Sequence, residues 1–227
     1  MKTIEKNGRK VKMKERYKNS KGEILPGVTT ITSELGWNKG ALIHWAWKLG
    51  IEQIDYKEFR DDKADIGKLG HQFILDGHRD IKTDTSMYSQ NQISLAENCL
   101  LSYYEWLKNK KVEPILIEKP LISELYQFGG TPDFYGIVNQ PNILLDYKTG
   151  KGIYPEFLIQ VVGGYVLLLE ENHHQVDKII ILNIPRAEDE NFREVIINDK
   201  KIIETCKSIF LNCLEIYKNK KLLKEVI

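Results

Sequence analysis

The chain lacks paired cysteines. Cys99, Cys206 and Cys213 stand far apart with no Cys-x-x-Cys among them, so neither a zinc site nor an iron–sulfur cluster is expected. No Gly-x-x-x-x-Gly-Lys-[Ser/Thr] loop occurs, which argues against ATP as a cofactor and against a built-in motor. There is no recognisable signal peptide and no apolar run long enough to span a bilayer, so a cytoplasmic setting without a membrane partner is expected. An excess of one charge is missing too: 33 Lys and Arg against 32 Asp and Glu leave a formal net charge of +1. Any contact with a polyanion must therefore come from locally arranged basic groups. One such run is Lys2 to Lys21, with Lys10, Lys12, Lys14 and Arg16 alternating on an expected strand. It reads either as a backbone-tracking face or as a solubilising one.

What is present is enough for one large domain: 227 residues without repeats or low-complexity segments. The order of periodic segments predicts a β-rich N-terminus, a helical middle and an α/β core. A helix carrying Leu42, Trp45, Ala46 and Leu49 is followed by a charged linker around Asp61 to Asp65. An amphipathic helix is expected over Gln92 to Lys108, from the spacing of Ile93, Leu95, Ala96, Leu100, Leu101, Tyr104 and Leu107. A strand over Pro114 to Leu121 leads to a hairpin of Phe128–Val138 and Asn142–Thr149, turned by Asn139-Gln140-Pro141-Asn142. Then come a helix over Tyr154 to Glu171, strands at Lys178–Ile184 and Arg193–Ile197, and a C-terminal helix from Lys200 to Lys220. The expected class is a single α/β domain with a mixed central sheet flanked by helices, plus an N-terminal hairpin and helical segment.

The chemistry concentrates in Gly129-Gly130-Thr131-Pro132-Asp133 and Leu145-Asp146-Tyr147-Lys148-Thr149-Gly150. On a strand, side chains two apart share a face, so Asp146 and Lys148 point the same way. The hairpin can bring Asp133 to the same end of the sheet. Two aspartates can hold a hard divalent cation through oxygen, and a nearby ammonium can orient water or stabilise charge developing on a phosphate.

With Pro132-Asp133 and, thirteen residues after Asp133, Asp146-Tyr147-Lys148, the chain resembles the PD-(D/E)XK nuclease superfamily, in its RecB-like and phage-type exonuclease branch. The resemblance runs with gaps from about Pro26 to Pro185. Upstream, Asp65-Ile66-Gly67-Lys68-Leu69-Gly70-His71-Gln72-Phe73 places Ile66, Leu69 and Phe73 at helical spacing, with Gly67 one turn before His71. A glycine there costs helix stability, which suggests a close approach of backbone or metal site. RecB-like nucleases carry a similar Gly-x-x-x-His whose imidazole completes the metal site, which implies His71 as a ligand beside Asp133 and Asp146. Downstream the family places a glutamine and a tyrosine one turn apart. Here Gln160 and Tyr165 are five apart, which on a regular helix points them in different directions. Glu118, on the preceding strand, is either a second-metal or water-positioning carboxylate or an edge charge paired with Lys119. Pro26-Gly27-Val28-Thr29-Thr30 is similar to the Pro-Ser-Val-Thr-like opening of phage and mitochondrial exonucleases, with Gly27 in place of the serine.

The resemblance implies a restriction-endonuclease-like core over residues 61–185, between an extension (1–60) and a C-terminal strand and helix (186–227). It implies a nuclease using Mg²⁺ or Mn²⁺, with Lys148, Asp133, Asp146 and Gln160 catalytic. Thr29, Thr30, Trp45, Thr149 and Tyr165 are candidate DNA contacts. DNA ends or single strands are the expected partner, with a phage recombinase or single-strand-binding protein as protein partner in the host cytoplasm. A restriction-type endonuclease and a catalytically silent DNA-binding scaffold are the alternative readings.

Overall fold

A computed structural model describes residues 3–6, 9–12, 16–36, 39–224 and 226, with side chains from residue 16 onward except at 224. Thr3–Lys6 (β1) and Arg9–Lys12 (β2) pair antiparallel. Lys2, Lys14 and the side chains of Lys10 and Lys12, named for the basic run, lie outside the described residues. Helices α1 (Val28–Thr32), α2 (Lys39–Ile51), α3 (Tyr56–His78) and α4 (Gln90–Leu107) follow. A five-stranded sheet then forms in the order β3 (Val112–Ile117), β6 (Phe134–Val138), β7 (Asn142–Thr149), β8 (Lys178–Ile184), β9 (Arg193–Ile197). Beside it stands a small ladder of β4 (Leu121–Ser123) and β5 (Phe128–Gly130).

The sheet is mixed. Neighbours pair antiparallel except β7 and β8, which are parallel. That pair needs a crossover, supplied by α5 (Pro155–Leu158), a π-helical stretch (Ile159–Tyr165) and α6 (Val166–Glu171). The long helix α7 (Lys200–Lys224) closes the chain. Alternation along the buried strands divides the core into two layers. Leu144, Ile179 and Ile181 join Val162, Leu168 and Phe210 on one face. Leu145, Tyr147, Ile180 and Leu182 join Ile74, Cys99 and Tyr103 on the other. This is a mixed α/β fold with helices on both faces of the sheet, the class expected from the sequence. No helix among the described residues is long and apolar enough to cross a membrane.

Most predicted elements form within a residue or two of their expected ends, and four departures have physical causes. The strand expected over Pro114 to Leu121 runs instead from Val112 to Ile117, because Glu118 leaves the extended conformation with a φ of +43°, and β4 begins at Leu121. The charged stretch Asp61 to Asp65 is not a linker. It lies inside α3, which begins one turn earlier because Asp55 caps it, accepting from the N–H groups of Lys57 (2.7 Å) and Glu58 (3.3 Å). The strand expected over Phe128 to Val138 is broken into β5 and β6 by Thr131-Pro132-Asp133, as proline cannot donate to a ladder. The helix expected over Tyr154 to Glu171 contains the π stretch, whose two glycines weaken the α-helical preference at its centre.

Candidate active site

The site lies where β7 ends. Asp133 immediately precedes β6, and its Oδ2 accepts the Tyr147 N–H at 2.8 Å, so the hairpin partner holds this carboxylate in place through its backbone. On β7, Asp146 and Lys148 share the face that meets the π stretch, whereas Tyr147 between them packs toward α3 and α4. Lys148 Nζ lies 2.5 Å from Asp146 Oδ2 and 3.4 Å from Gln160 Oε1. Asp146 is 1% exposed, and its Oδ2 is engaged by the Lys148 ammonium.

From the opposite face α3 delivers His71. Ile66 and Leu69 are fully buried, each contributing about 1.5–3 kcal/mol of burial, and they fix the rotation of the helix. Gly67 is required by proximity: a Cβ there would stand 2.6 Å from Thr149 Oγ1 at the end of β7. The close approach suggested by that glycine is therefore to the strand carrying Lys148. It brings His71 Nδ1 to 3.6 Å from Asp133 Oδ1, with the imidazole edge-on to the Tyr147 ring at 5.8 Å.

Glu118 completes this group. The pairing of Ile117 with Phe134 carries the next residue past the sheet end beside Asp133, and the Glu118 N–H donates to the Asp133 carbonyl at 3.0 Å. Its φ of +43° is uncommon for a non-glycine residue. Ligand atoms of His71, Glu118 and Asp133 lie within 4.8 Å of one another. The structure thus gathers the imidazole with Asp133 and Glu118, and sets Asp146 next to them against Lys148. Among the described residues this gathered set is one imidazole nitrogen and two carboxylates, of which the nitrogen suits Mn²⁺ and the oxygens Mg²⁺; Asp146, expected as a ligand, stands outside it against Lys148.

The electrostatics pull these groups apart. Burial pushes Asp146 up to about 6, with Lys148 opposing and Asp133 reinforcing the rise. Burial acts the same way on Asp133, but His71, Lys148 and the Tyr147 N–H outweigh it and hold Asp133 below the usual carboxylate range. Burial would lower His71, yet Asp133 overcomes it and the imidazole sits above its ordinary value.

The five-residue spacing of Gln160 and Tyr165 does not separate them. A π-helix closes i to i+5, so residues five apart fall on one line. Gln160 Nε2 donates to Tyr165 Oη at 2.9 Å while its Oε1 faces Lys148. Burial raises the Tyr165 hydroxyl well above its usual pKa, keeping it a neutral partner. The stretch is held from behind by contacts only glycine permits. A Cβ at Gly163 would meet the Cys206 carbonyl of α7 at 2.6 Å, and one at Gly164 would meet Val28 of α1 at 2.7 Å.

The other candidates are scattered. Thr29 and Thr30 are exposed on α1. Trp45 packs against Tyr56 and Phe59 at 6.5 and 6.1 Å, and its neighbour Trp47, 60% exposed, is the tryptophan that faces out of α2. Sequence reasoning missed Phe157, whose ring centroid is 5.0 Å from Lys148 Nζ. Its place in the first turn after Pro155 was the available signal.

No family model matches the chain, and no curated protein does. Among solved structures it is similar to the alkaline exonuclease LHK-Exo from Laribacter hongkongensis, at 20% identity over 56% of this chain and 72% of that one, TM-score 0.32. It is similar to LHK-Exo in complex with dAMP at 17% identity over 69% and 85% of the two chains, TM-score 0.33. Similarity to the protein SSO0001 is 14% identity over 68% and 74%, TM-score 0.31.

Proposed function

We propose that the chain is a divalent-metal-dependent DNA nuclease of the PD-(D/E)XK type, acting as an exonuclease on DNA ends or single strands in phage or mobile-element DNA processing. The observation that carries this reading is the sheet-end cluster, with Asp146 paired to Lys148 on β7 beside the group of His71, Asp133 and Glu118. An Mg²⁺ or Mn²⁺ ion held by Asp133, Asp146 and His71, with Glu118 as a further ligand or water anchor, would supply Lewis-acid stabilisation of phosphate charge. Lys148, an ammonium held between Asp146 and Gln160, orients the attacking water and offsets charge on the phosphate. Gln160, fixed by Tyr165, keeps Lys148 aimed into the site. Thr149, at the end of β7, lies against Gly67 of α3. Thr29 and Thr30 are proposed to contact the DNA backbone.

The test is incubation of the purified protein with Mg²⁺ or Mn²⁺ on end-labelled linear, closed circular and single-stranded DNA. Degradation of linear but not closed circular DNA is expected. Discrete fragments would favour a restriction-type endonuclease, and no cutting in either metal would favour a scaffold. Lys148→Ala is expected to abolish cleavage with folding and metal binding retained. Near-normal turnover in that variant would remove the mechanism.

A further inference from the structure

One aromatic pair beside Lys148 has no role in the scheme above. Tyr154 caps α5 with an extended backbone (φ −111°, ψ 154°), and Pro155 at the first helical position stiffens that entry. The Phe157 N–H donates to the Tyr154 carbonyl at 2.9 Å. Their rings meet edge to face, with centroids 5.7 Å apart and planes at 69°. Phe157 also lies under the Lys148 ammonium, with its centroid 5.0 Å from Nζ. Tyr154 remains 45% exposed although Phe157 buttresses it. The pair therefore leads from the ammonium, through Phe157, to the exposed ring of Tyr154.

A tyrosine buried in this way would be explained by packing, but an exposed ring pre-oriented beside a phosphate-handling lysine has another use. Bases stack on aromatic faces without regard to sequence, because every base has a π face. We propose that Tyr154 is the stacking platform for the nucleobase of the nucleotide being cut. Phe157 is the positioning residue that fixes both the platform and Lys148. The inference rests on the nuclease reading and adds a base subsite to it. The ligand class is a nucleobase of a single or frayed strand, since a base stacked in a duplex offers no free face.

The experiment uses end-labelled single-stranded oligonucleotides with one abasic residue walked along the strand, cut by the full-length protein in Mn²⁺. Wild type should lose about ten- to a hundredfold in kcat/KM when the abasic residue reaches the cut nucleotide, mostly through KM. Tyr154→Ala should show that loss on intact DNA and no further loss on abasic DNA, while Tyr154→Phe should behave as wild type. Phe157→Leu should lower kcat as well as raise KM, a split that loss of stacking alone does not give. The inference is overturned if Tyr154→Ala leaves KM unchanged, or if it still discriminates against the abasic residue as wild type does. A wild-type protein that cuts no DNA in either metal would instead remove the nuclease reading, and this subsite with it.

Discussion

Two helices converge on the end of β7, and they reach it by different means. Helix α3 is regular: its apolar stripe keeps the 3.6-residue period, and glycine at 67 lets it lie against Thr149 until His71 meets Asp133. The crossover between β7 and β8 is irregular. It carries one residue more per turn through Ile159–Tyr165, and this brings Gln160 and Tyr165 into line behind Lys148. The first helix supplies an atom able to bind an ion. The second supplies polar atoms that hold another side chain. Separate measurements should therefore respond to the two.

The largest expected effect separates them directly. His71→Ala should weaken Mn²⁺ affinity by at least the roughly ten- to hundredfold that loss of an outer-shell partner costs, with cleavage recovering at saturating metal. Gln160→Ala should lower the rate while leaving the metal titration in place. The pH dependence follows from the groups involved. Both His71 and Asp146 have raised pKa values, Asp146 at about 6, and metal must displace their protons. Affinity should accordingly climb as pH rises through 6, and less steeply in His71→Ala. Equal slopes in the two proteins would remove His71 from the coordination sphere.

Next in size is the support behind the π stretch. Gly163→Ala places a methyl 2.6 Å from the Cys206 carbonyl, part of the α7 backbone, which cannot rotate away. Overpacking of this kind costs about 1–3 kcal/mol. Denaturant unfolding should show the loss, and an unchanged midpoint would mean that α7 sits farther from the stretch. A smaller cost, about 0.5–1.5 kcal/mol, is expected for Tyr165→Phe, which takes the acceptor from Gln160 Nε2. Its kinetic signature should be a reduced kcat with KM unaltered, because Lys148 loses the brace of its neighbour.

These contrasts also mark what the sequence could tell. The strand Asn142–Thr149 and the shared face of Asp146 and Lys148 were legible from an apolar run and a period of two. Gly67 was legible because a glycine inside a helix needs a reason. The Gln160–Tyr165 contact was not, since a π turn has no residue period of its own outside the helix that contains it. It depends on tertiary packing, including the close approach of Gly163 to α7 and of Gly164 to α1. Asp61 to Asp65 misled for the opposite reason: a charged run resembles a linker, whereas the cap at Asp55 and the buried stripe beyond make it the solvated start of a long helix. The place of Glu118 depended on the register of β3 against β6, which passes through a bulge between Pro114 and Leu116 that no local pattern announces.

The smallest effect tests the regular helix and discriminates best. A Cβ at Gly67 would meet Thr149 Oγ1 at 2.6 Å, the same distance as at Gly163, but here the obstacle is one side-chain atom and not backbone. Alanine also favours the helix interior over glycine by about 1 kcal/mol. The two contributions oppose each other, so Gly67→Ala alone should change stability by less than about 1 kcal/mol in either direction. Removing the obstacle separates them: Gly67→Ala combined with Thr149→Ala should be more stable than Thr149→Ala alone, by most of that helix preference. A strictly additive cycle would show that the hydroxyl never opposed the methyl, and that α3 can lie against β7 without the glycine. Non-additivity would establish that closeness at Gly67 is what brings His71 to Asp133, and Mn²⁺ affinity should then fall in Gly67→Ala and return in the double variant.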